Sequence, residues 1–200
     1  HRKLILPQLG APGVAAHEVK KHSGFWVEYG PVRAVDLPEY LKTRKATAEM
    51  RQVHFGLRDR LVLIPVEVVH SVLPMLAAAL VLYFIGGILP ALVAATVVLA
   101  GTALFPILLP WLPTHDFSTK GFILGVLSAL PFALSTWLRH PGWAWWRQAG
   151  QALQYLLAMP AATAFITLNF TGSTTFTSRS GVRREIFRYI PAMAWTFGTG

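Results

Sequence analysis

Glu67 and His70 stand three residues apart inside an apolar run, and a helix would put them on one face. Ionisable side chains are costly in hydrocarbon and usually mark function there, so this pair is a candidate for holding a metal ion or relaying a proton. Glu67 is also only seven residues past Arg60, which leaves headgroup depth as the plainer alternative. A second candidate is the turn Gly10-Ala11-Pro12-Gly13-Val14, between a short apolar run and a helical pattern. Its backbone N–H groups could hold a phosphate or another anion, or it is simply a strand-to-helix turn. Tyr29-Gly30-Pro31-Val32-Arg33 ends the next strand-like run. In a parallel sheet two such turns leave the same edge, where ligands bind. His115 and Asp116 could hold a cation, with a helix N-cap by Asp116 or Ser118 as the simpler role. His17 reads as a solvated helix residue.

The elements that must position these residues fall into two kinds. Before Arg60 the pattern is that of an α/β protein. Leu4–Leu9 and Phe25–Tyr29 read as strands, and Val14–His22 as a helix closed by Lys20-Lys21-His22 and stopped at Gly24. Asp36, Pro38 and Glu39 have the spacing of a capped helix start, running to about Lys42. Strand, turn, helix, strand, turn, helix is part of a parallel sheet. After Arg60 come four apolar runs, Leu61–Gly86, Gly87–Leu112, Phe117–Leu138 and Trp145–Phe170. Each can cross a hydrocarbon core of about 30 Å, which takes about 20 helical residues. Gly121 and Gly125, with Ser128 and Ala129, are small residues spaced for close helix packing. Trp111, Trp137, Trp143, Trp145 and Trp146 fall near span ends, as an aromatic belt requires. Hydroxyl-rich Asn169–Ser180 follows, where Ser178 or Ser180 can cap a basic helix at the interface, and Ile190–Phe197 begins a further apolar run.

The formal charge is +9, from 18 basic and 9 acidic residues. Eleven basic residues precede Leu61, none lies at Gly86-Gly87, Lys120 follows span two, Arg139 and Arg147 flank the loop after span three, and four follow span four. By the positive-inside rule both ends are expected on the cytoplasmic side of the inner membrane, near anionic headgroups. No nucleic-acid-binding motif accompanies the basic residues, so no nucleic-acid partner is expected. The absence of cysteine excludes disulfides, thiolate metal sites and thiol nucleophiles within these residues.

Two segments carry more than composition. Leu6 to Val19, running on to Tyr29-Gly30-Pro31-Val32-Arg33-Ala34 and Asp36-Leu37-Pro38, resembles the family of mercury-methylating corrinoid proteins, HgcA. Phe170 to Val182 looks like the same family, as does the order of corrinoid domain and multi-span anchor. The related corrinoid iron–sulfur protein large subunits share the α/β module but not the anchor. The resemblance implies a methyltransferase in which cobalamin carries a methyl group to Hg(II), forming methylmercury, and a ferredoxin-like partner, HgcB, restores reduced cobalt. It also implies that Gly10, Ala11, Pro12, Gly13 and Val14, with Tyr29, Gly30, Pro31, Val32 and Arg33, contact the corrinoid. The family's cobalt ligand is a cysteine in Asn-(Val/Ile)-Trp-Cys-Ala-Ala-Gly-Lys on a cap helix, and that motif is missing here. The reading frame is therefore expected to continue upstream of His1, and no catalytic residue is expected in this portion.

The expectation is an α/β corrinoid-binding domain remnant at 1–57, followed by an all-α polytopic transmembrane domain at 58–170. Residues 171–200 would return through the cytoplasm and begin a fifth membrane helix. Two other readings remain: a transporter with Glu67 and His70 in its path, and a non-catalytic anchor that docks a redox partner through Arg179–Arg188.

Overall fold

A computed structural model describes residues 2–53, 56–171 and 179–200. The chain divides into two compact units, His1–His54 and Phe55–Gly200. In the first, strands β1 (Lys3–Pro7) and β2 (Trp26–Gly30) pair in parallel, with Lys3 opposite Trp26 and Pro7 opposite Gly30. A parallel pair needs a crossover, and helix α1 (Ala16–Ser23) supplies it. The helix stops where Gly24 turns left-handed, at φ 72°, with its N–H on Lys20 O. Helix α2 (Leu37–Thr43) buries Tyr40. The Asp36–Glu39 capping arrangement does not form. Asp36 ends a 3-10 turn with a helical backbone, φ −83° and ψ −9°, and its side chain makes no cap bond.

The second unit is helical. Helix α3 (Leu57–Gly86) runs 30 residues, about 45 Å at ordinary helical rise. Pro65 and Pro74 lie within it, and the Gly56 N–H at its start donates to Asp59 Oδ2 at 3.0 Å. Gly87, at φ 82°, joins it to α4 (Ile88–Leu99). A π-helical turn, Ala100–Leu104, leads into the short α5 (Phe105–Leu108). Pro106 explains the widened turn: it has no N–H to give the fourth residue back, so the ladder must shift register. Helices α6 (Phe117–Arg139), α7 (Trp145–Thr167) and α8 (Arg179–Thr199) complete the unit. Four helical stretches are long and apolar enough to cross a membrane: Leu57–Gly86, Ile88–Leu108, Phe117–Arg139 and Trp145–Thr171. Helix α8 runs unbroken from the basic segment through the apolar run that begins at Ile190. Its preceding segment 172–178, with the Ser178 cap, lies outside the described residues, as does the Ser180 side chain.

The most extensive packing is between α6 and α7. Gly121 and Gly125 make it possible. A Cβ on Gly125 would run into the backbone of Pro160, and one on Gly121 into Thr167 and, at 2.8 Å, Ala164 Cα. Close backbone approach through small residues is how helices associate where lipid is as apolar as leucine. At one end of the bundle Phe105, Phe117 and Phe170 form a buried aromatic knot, with ring centres 5.6 Å apart in both pairs. The five tryptophans expected near span ends are all exposed.

Candidate functional site

The register Pro7↔Gly30 brings the turns after β1 and β2 to one edge of the pair. The Tyr29 hydroxyl then donates to Val14 O, tying the second turn to the first. Within the first turn the backbone donors are spent internally. Ala11 N–H goes to Gln8 O at 3.1 Å, and Gly13 and Val14 N–H both go to Gly10 O at 3.0 Å. Pro12 has none to give. The anion-holding role proposed for these N–H groups is thereby corrected: this is a self-closed strand-to-helix turn. Neither Gly10 nor Gly13 has a positive φ. Pro12 and Gly13 are exposed, and a Cβ on Gly10 would meet nothing within 4 Å.

The second turn divides. Gly30 and Pro31 are buried, Val32 N–H is held by Met50 O at 2.8 Å, and Arg33 is exposed. The glycine at position 30 serves packing. A Cβ there would sit 3.0 Å from Ile5 Cγ2 and 3.4 Å from Tyr40 Cε1. Gly30 and Pro31, expected at the ligand edge, thus lie beneath the exposed part of the turn.

Beside these turns is a polar cavity of about 520 Å³, bordered by Gln8, Glu28, Tyr29, Tyr40, Arg44 and Arg51. Tyr40 Oη donates to Glu28 Oε1 at 2.7 Å, and Lys3 Nζ lies 3.8 Å from Glu28 Oε2. Burial and the bond to Glu28 push the Tyr40 phenol above its ordinary range. Arg44 reaches the cavity rim from a left-handed residue, φ 54°, that ends α2. The sequence offered only a faint signal for this group: one tyrosine within a short charged helix, and a basic segment after it.

Glu67 is half-buried and His70 exposed on α3, and neither makes a hydrogen bond or ion pair with another described residue. Among the described residues no group of three or more His, Cys, Asp or Glu is placed to hold a metal ion. His17 is exposed and lies 3.5 Å from Glu18. Asp116 precedes α6 but does not cap it; its Oδ2 accepts from Tyr189 Oη at 2.7 Å. The α6 start is held by a residue that sequence reasoning missed. Glu185, from α8, accepts the Ser118 N–H at 2.8 Å with its buried carboxylate. Burial raises the Glu185 carboxyl above its ordinary range, opposed by the hydrogen bonds it accepts from Ser118 and Phe117. Its one signal in the sequence is that no other acidic residue follows Asp116.

A corrinoid is a large flat group, and its fit can be tested on these turns. The open space at Gly10 and the exposed Pro12–Gly13 backbone fit one wall for such a group. With no cysteine in the chain, a thiolate on cobalt would have to come from elsewhere. A scan against family models, a search of curated proteins and a search of solved structures each find no match to this chain.

Proposed function

We propose that the chain is the membrane-anchored portion of a corrinoid-dependent methyltransferase that acts on Hg(II). The observation that carries this reading is the common edge of β1 and β2, where Gly10–Val14 and Tyr29–Arg33 lie together. The sequence resemblance and the four apolar helices support it. The residues that would hold the corrinoid are Gly10, Ala11, Pro12, Gly13 and Val14, with Tyr29 and Arg33 from the second turn. Gly30, Pro31 and Val32 would act as their foundation. When bound, the corrinoid supplies the methyl group that Hg(II), the substrate, takes up as methylmercury. The chain's own part is positional. Tyr29 ties the two turns together through Val14 O, and the exposed Pro12–Gly13 backbone offers a surface on which a flat group can lie. The helices would keep the site at the cytoplasmic face of the inner membrane, within reach of the ferredoxin-like reductant HgcB.

The test replaces Gly10 and Gly13 by Val in the parent protein that supplies the cobalt ligand. Since neither glycine has a positive φ, the change adds bulk at an open surface without backbone strain. Cobalt per purified protein should fall severalfold while far-ultraviolet circular dichroism stays unchanged. Unaltered cobalt content would remove these turns from the site. Cysteine labelling should mark Gly87 and Pro141 as external and Lys45 as cytoplasmic; external labelling at Lys45 would overturn the orientation.

A further inference from the structure

Where α3 begins, α5 ends and α6 begins, three basic side chains border one cavity of about 520 Å³: Arg60, His115 and Lys120. Its other walls are largely apolar, with Leu109, Leu112 and Pro113 among them. No carboxylate lines it, and among the described residues none forms an ion pair with any of the three. The undescribed residues 1, 54, 55 and 172–178 include no Asp or Glu that could do so. Three cationic or protonatable groups around an empty volume, without a counter-charge, is an unbalanced arrangement at the edge of a low-dielectric bundle.

The two permanent cations are held in place. Lys120 Nζ donates to Leu109 O at 2.8 Å, and Arg60 donates to Ile107 O and, through Nε, to Gly56 O, both at 3.3 Å. The bonds to Leu109 O and Ile107 O satisfy carbonyls at the C-terminal end of the second span, where cations are favoured. They do not exhaust the donors. A guanidinium has five N–H groups and an ammonium three, so both side chains keep donors for an anion. Satisfying those carbonyls would need neither His115 nor the cavity.

We propose that this cavity binds the phosphate of an anionic membrane phospholipid. Phosphate chemistry follows from the converging donors, since Arg and Lys are the usual phosphate partners. A lipid source follows from position and walls. The cavity lies where apolar spans end, its leucine and proline walls suit a glycerol and the first acyl carbons, and exposed Trp111 stands in the same loop at headgroup level. The inference is independent of the corrinoid reading, because every residue it uses lies in the helical unit.

The full chain, purified in mild detergent, is equilibrated with mixed phosphatidylglycerol and phosphatidylcholine, and retained lipid is counted by native mass spectrometry. The wild type should retain phosphatidylglycerol in clear excess. Arg60→Gln and Lys120→Gln should each lower that preference by about fivefold, in line with the attraction of one basic residue to an anionic surface. Lys120→Arg should keep it. Inorganic phosphate in excess over lipid should displace little of it. An equal preference in wild type and in both glutamine variants would overturn the site. Displacement of lipid by inorganic phosphate would overturn the lipid source in favour of a soluble phosphate. If loss of Arg60 or Lys120 unfolds the bundle end, His115→Gln, which removes no hydrogen bond among the described residues, takes their place. It should lower the preference, and an unchanged preference would overturn the proposal.

Discussion

The first span and the last two differ in a way that runs against intuition from soluble proteins. Helix α3 has a mean hydropathy of 2.2 over its most apolar window, and none of that window is buried. The fourth span has only 1.3, and 39% of its window is buried. In water so apolar a segment would be driven to the core. In lipid it gains nothing by leaving the tails, and association is decided by how closely backbones can approach. Hence Gly121, Gly125, Ala129, Ala164 and Thr163 are found where α6 meets α7, and many valines and leucines of α3 are left facing outward.

The largest break in this contrast should come from Gly125→Val. The obstructing atom is Pro160 Cα, which cannot swing aside as a side chain would. We expect a loss of about 3 kcal/mol or more, or failure to fold, in an SDS titration followed by circular dichroism. Next, Leu124→Ala, at a site 3% exposed, should cost about 2 kcal/mol. Leu73→Ala, 76% exposed on α3, should fall within about 0.5 kcal/mol of wild type. Equal effects at the two leucines would mean that α3 is covered in the folded protein.

A smaller effect is expected at Glu185. Glu185→Ala leaves the Ser118 N–H without its acceptor and should cost about 1–2 kcal/mol. Glu185→Gln keeps an acceptor and should cost less. Because the folded carboxyl holds its proton more tightly than the unfolded one, the charged form carries a penalty. That penalty is absent below the ordinary carboxylate range and complete above the raised value. Wild type should therefore lose stability relative to Glu185→Gln as pH rises through this interval. A small change of opposite sign is expected from Gly150→Ala, with nothing within 4 Å of the new Cβ: a gain of about 0.5–1 kcal/mol from helix propensity.

The spans were legible because length and apolarity are local properties, and each expected run overlaps an observed helix to within a few residues. The α1 stop at Gly24 was legible for the same reason, since only a glycine takes φ 72° without strain. What escaped depends on partners far along the chain. Asp36 and Glu39 had the spacing of a cap, but the preceding 3-10 turn leaves Asp36 with a helical backbone and no side-chain cap bond. Glu185 caps a helix 67 positions earlier, and Tyr40 meets Glu28 across the strand edge. The closed hydrogen bonding at Gly10 likewise could not be read from a Gly-Ala-Pro-Gly string that fits both an open nest and a sealed turn.

The bond between Glu185 and Ser118 also sets an order of events at the ribosome. Helix α6 leaves the exit tunnel and enters the bilayer well before residue 185 has been translated, since chains are made from the N-terminus. Until α8 arrives, the first N–H groups of α6 must be served by water or headgroups. At this end the bundle is thus closed by a helix made after all four spans, and a chain truncated before Glu185 would keep those spans but leave the α6 terminus wet.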